Sequence, residues 1–158
     1  MLQRIQSVFL FLASASVFSL ELPKVGFMSL IHGIPQAGSP YSDSIFNILD
    51  DRYLMVLTAV AGIGFLTTML SYKNRKTQIL AAMMGSFLVA MDLIYGTWEA
   101  RETFAKTVSA EPTYDGSNLQ SNFGYAIPAL VVALVFSLLA IRFIRRDEKL
   151  VRSADRLR

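Results

Sequence analysis

Four apolar blocks dominate this sequence and limit what the chain can fold into. Each block is close to the roughly 20 residues that an α-helix needs to cross the hydrocarbon core of a bilayer. The blocks cover residues 5–22, 53–72, 77–98 and 123–144. Charged residues make up only 17% of the chain, whereas they are about a quarter of an ordinary soluble domain. The sequence therefore predicts an all-α membrane protein, a single domain of residues 1–158 with four transmembrane helices.

The segments between the blocks differ in charge, and this difference predicts the orientation in the membrane. The short turn 73–76 carries a net charge of +3, and residues 142–158 contain seven basic and three acidic residues. The longer loops 23–52 and 99–122 have net charges of −1 and −2. Because Lys and Arg accumulate on the cytoplasmic side, we expect a cytoplasmic turn, a cytoplasmic tail over 145–158, periplasmic long loops and both termini inside.

The first apolar block has two interpretations. A cleaved signal peptide would use Ala13-Ser14-Ala15 as a cleavage site of the A-x-A type. The apolar run continues past this site to Leu22, however, and the apolar part of a signal peptide is usually shorter. We therefore expect a retained membrane anchor.

The two outer loops contain glycine, proline and scattered apolar residues, which suggests packing on the helix ends. Short strands are predicted around 26–31 and 107–114, although apolar and polar residues alternate poorly there. Ser42 or Asp43 is a candidate N-cap for the second helix, because short polar side chains accept hydrogen bonds from the first helical turn.

Small residues and aromatic residues recur at positions typical of membrane helices. Small side chains four residues apart let helix backbones approach closely. Such pairs are Thr58 with Gly62, Ala81 with Gly85, Ala82 with Ser86, and the series Ala129, Ala133 and Ser137. The spacing does not distinguish contacts within the chain from contacts with a partner. An outer aromatic belt is predicted from Tyr53, Tyr95, Trp98 and Tyr125.

Asp92 is the one ionisable residue well inside a predicted span. An intramembrane carboxylate is a candidate ion or proton site. Glu99 follows two turns later on the same face, and Glu21 ends the first block at the same membrane side, so the three carboxylates form the candidate site. The simpler interpretation, which we favour, is that a neighbouring hydroxyl or water satisfies Asp92.

Signals for enzyme chemistry are absent from the sequence. The chain has no cysteine, and its single histidine, His32, has no second histidine or adjacent carboxylate to form a metal site or catalytic triad. We interpret His32 as a solvated loop residue. No phosphate-binding loop, dinucleotide fingerprint or nucleophile elbow occurs. We expect no catalytic residue, no metal and no cofactor.

The C-terminal tail predicts an amphipathic continuation of the fourth helix. At 100° per residue its basic residues lie on one arc and its apolar residues on another, and Asp147 falls in the apolar arc, where it needs a partner. Such a helix fits an anionic lipid surface, a cytosolic protein, or the RNA of a ribosome. The candidate docking residues on this face are Lys73, Arg75, Lys76, Arg145, Arg146, Lys149, Arg152 and Arg156.

Three segments of the cytoplasmic face carry a family resemblance. They are MLQRIQ at 1–6, KNRKTQ at 73–78 and RDEKLVRSADRLR at 146–158. The chain resembles a family of small four-span membrane proteins of unknown function in Bacteroidota. The resemblance implies a location in the bacterial inner membrane with the outer loops in the periplasm, and it implies no activity or cofactor.

We therefore expect a non-catalytic accessory or scaffold subunit of a membrane complex. Its expected partners are other membrane protein subunits and anionic phospholipid, with a cytosolic protein or ribosome contact as a further candidate. The chain's overall charge of +3 is divided between opposite membrane sides, so we expect no specific DNA binding. The alternative is a small transporter or ion-handling protein that uses Asp92.

Overall fold

The computed structural model describes residues 2–32, 41, 43–71, 74–110 and 120–155. Within these residues the chain forms four α-helices and three short β-strands. The helices are α1 (Leu2–Phe18), α2 (Arg52–Leu70), α3 (Arg75–Ala110) and α4 (Ala126–Asp155), and a 3-10 turn, Ser19–Glu21, follows α1. The strands are β1 (Gly26–His32), β2 (Ile45–Asn47) and β3 (Gln120–Phe123). The mostly helical class is confirmed, and the small sheet is the departure from an all-α fold.

The four helices form a closed bundle in which neighbours along the chain are neighbours in space. α1 packs against α2, α2 against α3 and α3 against α4, and the contact between α1 and α4 closes the ring. Leu10, Phe65, Val89 and Leu130, one from each helix, are fully buried in the common core. The Phe9 ring of α1 stacks on the Phe143 ring of α4, with 5.4 Å between the ring centroids.

Polar contacts tie each pair of neighbouring helices together. Gln6 of α1 donates to the Phe143 carbonyl at 3.2 Å, and Ser14 of α1 donates to the Gly62 carbonyl of α2 at 3.0 Å. Thr58 of α2 donates to Asp92 of α3 at 3.3 Å, and Ser86 of α3 donates to Ser137 of α4 at 2.9 Å. Such bonds across membrane helices contribute about 0.6 kcal/mol each on average, so they orient the helices more than they hold them together.

The predicted small-residue positions lie at contacts within the chain. Gly62 faces the Phe18 ring, and Gly85 faces the Phe65 ring so closely that a Cβ there would lie 2.8 Å from the ring. Ser86 and Ser137 form the hydroxyl pair between α3 and α4. The small side chains therefore make room for aromatic rings from the neighbouring helix as well as for backbone approach.

The helix faces that point away from the bundle are apolar. This arrangement is inverted relative to a soluble bundle, whose outer faces are polar. Exposed side chains on these faces include Val8, Phe11, Val60, Ile63, Leu80, Phe87, Ile94, Val131, Val135 and Leu138. Among the described residues, three helices are long and apolar enough to cross a membrane, and the segment Ile5–Glu21 is a shorter apolar helix.

The strands form a three-stranded antiparallel sheet with the order β2-β1-β3. Met28 on the central strand faces Phe46 on one side and Phe123 on the other. The prediction of a strand around 26–31 is confirmed by β1. The Gly124 amide donates to the Phe27 carbonyl at 2.9 Å, and a Cβ on Gly124 would overlap the Gly26 carbonyl. Glycine is therefore required where β3 turns into α4.

The sheet packs on the ends of α3 and α4. The fully buried Phe27 ring rests against Gly96, where any Cβ would collide with it. The Tyr41 hydroxyl donates to the Ala100 carbonyl at 2.8 Å, and the Tyr41 ring contacts Phe104 edge-on at 6.3 Å. These contacts make Phe27 and Tyr41 part of the same core as the helices.

Two sequence predictions about the outer region are wrong. The second helix does not begin at Asp43: residues 45–47 pair with β1, and the Asp51 side chain caps α2 by accepting from the Leu54 amide at 2.8 Å. Ser42, the other candidate, lies outside the described residues. The predicted strand at 107–114 is also wrong as far as Ala110, because α3 continues through it. Residues 111–114 lie outside the described part.

Candidate functional site

Arg75 and Asp147 join the start of α3 to the end of α4. Arg75 Nη2 lies 3.0 Å from Asp147 Oδ2, and Arg75 Nη1 donates to the Asp147 backbone carbonyl at 3.0 Å. The prediction that Asp147 needs a partner within the apolar arc of the tail is confirmed. A guanidinium that makes two bonds to one residue fixes its direction as well as its distance. The pair therefore holds the tail helix against the beginning of α3.

A groove runs along α4 beside this ion pair. It encloses about 600 Å³. Its lining residues are Leu138, Ile141, Arg142, Arg145, Arg146 and Lys149, and we call it the basic groove. The spacing of three and four residues places these side chains on one helix face. Arg145 Nη2 also contacts Met83 Sδ on α3 at 3.4 Å.

The predicted docking residues separate into distinct groups. Arg145, Arg146 and Lys149 line the basic groove together, whereas Arg75 is occupied by Asp147. Lys76 is exposed in the first turn of α3. Lys73 and Arg156 lie outside the described residues, as does the side chain of Arg152, whose backbone belongs to α4.

Arg142 is a groove residue on the basic arc that the sequence predicts for the tail helix, although it is not among the predicted docking residues. It lies three residues before Arg145 and four before Arg146, so helical spacing alone was enough to find it. The apolar residues Leu138 and Ile141 gave no such signal, because any membrane helix contains many residues of this kind.

Asp92 lies in the middle of α3 and is fully buried in the bundle. Its Oδ1 accepts from the Thr58 hydroxyl at 3.3 Å. Among the described residues its Oδ2 has no hydrogen-bond partner. The favoured interpretation, a neighbouring hydroxyl, describes one oxygen of this carboxyl group and leaves the other without a partner.

The structure does not assemble the three predicted carboxylates into a cation site. Glu21 is exposed at the end of the 3-10 turn, and Glu99 accepts from Thr103 on its own helix at 3.4 Å. In the described part of the chain no group of three acidic or histidine residues could hold a metal ion. The backbone of His32 lies at the end of β1, and its side chain is outside the description.

Aromatic residues gather at the end of the bundle that carries the sheet. The rings of Tyr95 and Trp98 lie 6.1 Å apart, and Trp98 and Tyr125 line one groove between α3 and α4. The Arg101 guanidinium lies over the Phe123 ring at 5.5 Å from its centroid, at the same groove. This distribution is typical of a membrane–water interface, where aromatic rings bridge apolar and polar surroundings.

Two residues near the sheet, Tyr41 and Asp50, have pKa values above the ordinary ones. Burial raises the pKa of the Tyr41 phenol well above its ordinary value, and the negative charge of Asp50 raises it further. The pKa of Asp50 is itself raised, first by burial and then by the charge of Asp43, although the Asn47 amide, which donates to it at 2.8 Å, opposes this. Both groups belong to the packed sheet region rather than to a catalytic arrangement.

Comparison with known proteins identifies the family. A family model described as Domain of unknown function (DUF4293) matches residues 2–157, nearly the whole chain. The chain matches no curated protein and no solved structure. The predicted resemblance to a family of unknown function is confirmed, and this chain belongs to the DUF4293 family.

Proposed function

We propose that this protein is a non-catalytic accessory or scaffold subunit of a larger complex in the bacterial inner membrane. In this proposal it crosses the membrane four times, with both termini in the cytoplasm. It assembles with other membrane subunits, and its cytoplasmic tail helix docks a partner. The observation that carries the proposal is the Arg75–Asp147 ion pair, which fixes a tail helix with exposed apolar residues to the bundle.

The packing of α1 supports four spans instead of three. Its 17 residues give a helix of about 26 Å, and the 3-10 turn extends it toward the roughly 30 Å of the hydrocarbon core. Leu10, Ala13 and Val17 are fully buried against the other helices, while Val8 and Phe11 face outward. One face of α1 is thus buried in the core and the opposite face is apolar and exposed, as in the other three helices. This supports α1 as a fourth membrane-spanning helix.

The charge distribution supports the orientation. Arg142, Arg145, Arg146 and Lys149 lie together at one end of α4, and Arg75 and Lys76 begin α3 at that same end, joined to it by the ion pair. The opposite end carries the sheet and the aromatic residues. Basic residues favour the cytoplasmic side, which supports a periplasmic position of the sheet.

The length of α4 supports docking. Its 30 residues extend about 45 Å, so about ten residues project beyond a hydrocarbon core of roughly 30 Å. On this projection Leu150 and Val151 are 50% and 43% exposed, next to the exposed Lys149. A charged segment needed only for orientation does not require exposed apolar residues, whereas a docking helix uses them.

The test is affinity purification of the full-length protein in a mild detergent, followed by quantitative mass spectrometry. We expect other membrane proteins to co-purify with the wild-type protein at a constant ratio to it. We expect these proteins to be lost when residues 148–158 are deleted. The double variant Leu150→Ser/Val151→Ser removes the apolar contribution of the tail helix to docking. Lys149→Gln removes a charge from the same helical turn. Recovery of the same proteins in the same ratio after deletion would refute the docking role.

Asp92 supports a second candidate function, a small transporter or ion-handling protein. A charged carboxylate at the centre of a membrane helix costs about 2.5–3.5 kcal/mol in insertion experiments, and such residues often serve ion or proton movement. The unpartnered Oδ2 is the observation that favours this candidate.

Reconstituted vesicles with a pH-sensitive or cation-sensitive dye inside distinguish the two functions. For a transporter, we expect a gradient-dependent signal that Asp92→Asn abolishes and that Thr58→Ser, which keeps the hydroxyl, preserves. A signal no larger than that of protein-free vesicles, or one that Asp92→Asn leaves unchanged, would reject the transport function.

A further inference from the structure

We propose that the basic groove is a binding site for the phosphate headgroup of an anionic phospholipid from the cytoplasmic leaflet. The inference rests on the proposed membrane orientation and names the chemical class of one partner. It does not depend on whether the tail helix also docks a protein.

The groove changes from apolar to cationic along the helix axis. Leu138 and Ile141 line its end nearer the middle of α4, and Arg145, Arg146 and Lys149 line the other end. The twelve residues from the first to the last of these span about 16 Å. A phospholipid has the same polarity along its length, with an acyl chain followed by a phosphate. A free phosphate ion would use only the cationic end.

The depth of the groove agrees with the position of lipid headgroups. Helix α4 begins at Ala126, and a hydrocarbon core of about 30 Å accounts for roughly 20 residues from that point. The cationic part of the groove, Arg142 to Lys149, therefore lies at the level where the cytoplasmic leaflet places its phosphates. Arg142, the deepest of the four cations, reaches that level by extending its side chain along the helix.

The charges of the groove are available to a ligand. The nearby carboxylate of Asp147 is bound by Arg75. Within the described residues, none of the four groove cations forms an ion pair with a carboxylate. Arginine guanidinium groups bind phosphate oxygens with two parallel hydrogen bonds. Two arginines and a lysine at one headgroup level thus match an anionic phosphate.

Arg145 is also partly positioned by a contact with α3. Its Nη2 contacts Met83 Sδ on α3, and the Arg75–Asp147 pair fixes the α4 backbone two residues later. A side chain that is already positioned loses less conformational freedom when it binds. Contacts with α3 through Met83 and Arg75 therefore support the groove, whose lining residues all belong to α4.

The test is native mass spectrometry of the purified full-length protein with phosphatidylglycerol and with phosphatidylcholine of the same acyl chains. A basic residue near an anionic surface changes affinity by a factor of about five. We expect preferential binding of phosphatidylglycerol, and an approximately 30-fold loss of that preference in Arg145→Gln/Arg146→Gln. Arg145→Lys/Arg146→Lys, which keeps the charge, is expected to retain part of the preference and shows that the site can be changed without unfolding.

Two control variants remove positive charge outside the basic groove. Lys76→Gln removes a charge from the same end but outside the groove, and Lys24→Gln/Lys106→Gln removes two charges from the opposite end. Both are expected to retain the phosphatidylglycerol preference. Inorganic phosphate and a glutamate-rich peptide serve as competitors, and neither is expected to displace the lipid at equal concentration.

Several results would overturn the lipid site. These are equal binding of the two lipids, an unchanged preference in the Arg145→Gln/Arg146→Gln protein, and displacement by phosphate or by the acidic peptide. The last result would assign the groove to a free anion or to an acidic protein segment. Because purified protein is used, failure of the partner-purification experiment would leave this result unaffected.

Discussion

Arg75 at the first position of α3 and Asp147 in the last third of α4 are 72 residues apart in sequence and form a two-point contact. One guanidinium nitrogen lies 3.0 Å from the carboxylate, and the other donates to the backbone carbonyl of the same residue at 3.0 Å. Their side chains are 30% and 16% exposed. This contact turns the short basic turn and the long basic tail into parts of one surface.

Loss of this contact should destabilise the protein measurably. Hydrogen bonds to charged groups contribute about 1.5–3 kcal/mol, and we expect Arg75→Gln or Asp147→Asn to cost an amount in this range, reduced by partial exposure. The measurement is thermal unfolding in detergent, with the double variant completing a mutant cycle. Lys106→Gln is the control, because its pair with Glu102 is exposed and i,i+4 pairs contribute only about 0.3–0.5 kcal/mol. Additive effects of the two single changes would argue against coupling.

Gly85→Ala should disturb the contact between α2 and α3. The added Cβ would lie 2.8 Å from the Phe65 ring, and overpacking of this kind costs about 1–3 kcal/mol. Thermal unfolding and detergent resistance measure the effect. Gly64→Ala is the matched control, since a Cβ there meets nothing within 4 Å. Phe65→Leu in the Gly85→Ala background should restore part of the stability, and equal stability of the two glycine variants would contradict the packing.

Tyr41 should give the outer region a pH-dependent stability. Its phenol pKa is raised by burial, so the folded protein keeps a proton that the unfolded chain releases above the ordinary pKa of 10.0. The stabilising contribution of this group is therefore present below that pH and is lost as the pH rises above it. Tyr41→Phe should cost about 0.5–1.5 kcal/mol at neutral pH through the lost bond to Ala100.

The decisive measurement for Tyr41 is the stability difference between wild type and Tyr41→Phe as a function of pH. We expect this difference to shrink as the pH rises beyond 10.0. Tyr125→Phe is the control, because that side chain is exposed, and its difference from wild type should stay near zero. A difference that is constant with pH would show that Tyr41 is not held in its protonated form.

The orientation can be measured without removing any native reactive residue, because the chain contains no cysteine. Single cysteines at Lys24 and Asp43, both exposed, should react with a membrane-impermeant maleimide in intact spheroplasts. Cysteines at the exposed positions Lys76 and Ser153 should react only after permeabilisation. The opposite labelling pattern would invert the proposed topology and would place the basic groove outside.

Helix α3 illustrates a limit of reasoning from apolar blocks. The apolar block ends at Trp98, and the polar residues that follow are predicted as loop, yet the helix continues to Ala110. Alanine, glutamate and lysine favour helices, and Glu102 and Lys106 form an i,i+4 pair, so a local signal was present. An apolar block predicts only the length of helix that lies in hydrocarbon. The helix beyond it contacts the sheet region instead, through Arg101 over the Phe123 ring and through the bond from Tyr41 to the Ala100 carbonyl.

The sheet illustrates a different limit. Strand β1 pairs with β3 about 95 residues later in the chain, as in the register of Met28 with Phe123. A strand so far away in sequence leaves no local pattern that names its partner. The start of α2 failed for the same reason, because Asp43 and Asp51 are equally good caps by residue type, and only the pairing of β2 with β1 decides between them.

The sequence alone predicts four helices, the basic end of the molecule and the amphipathic end of α4. These follow from hydropathy and charge, which act locally along the chain and need no partner. The tertiary structure was needed to show that Arg75 binds Asp147 and that Asp92 is buried against Thr58. Each of these contacts depends on which face a helix turns toward its neighbour. In a membrane, close packing between helices selects that face, because apolar side chains are equally stable in contact with lipid or with another helix.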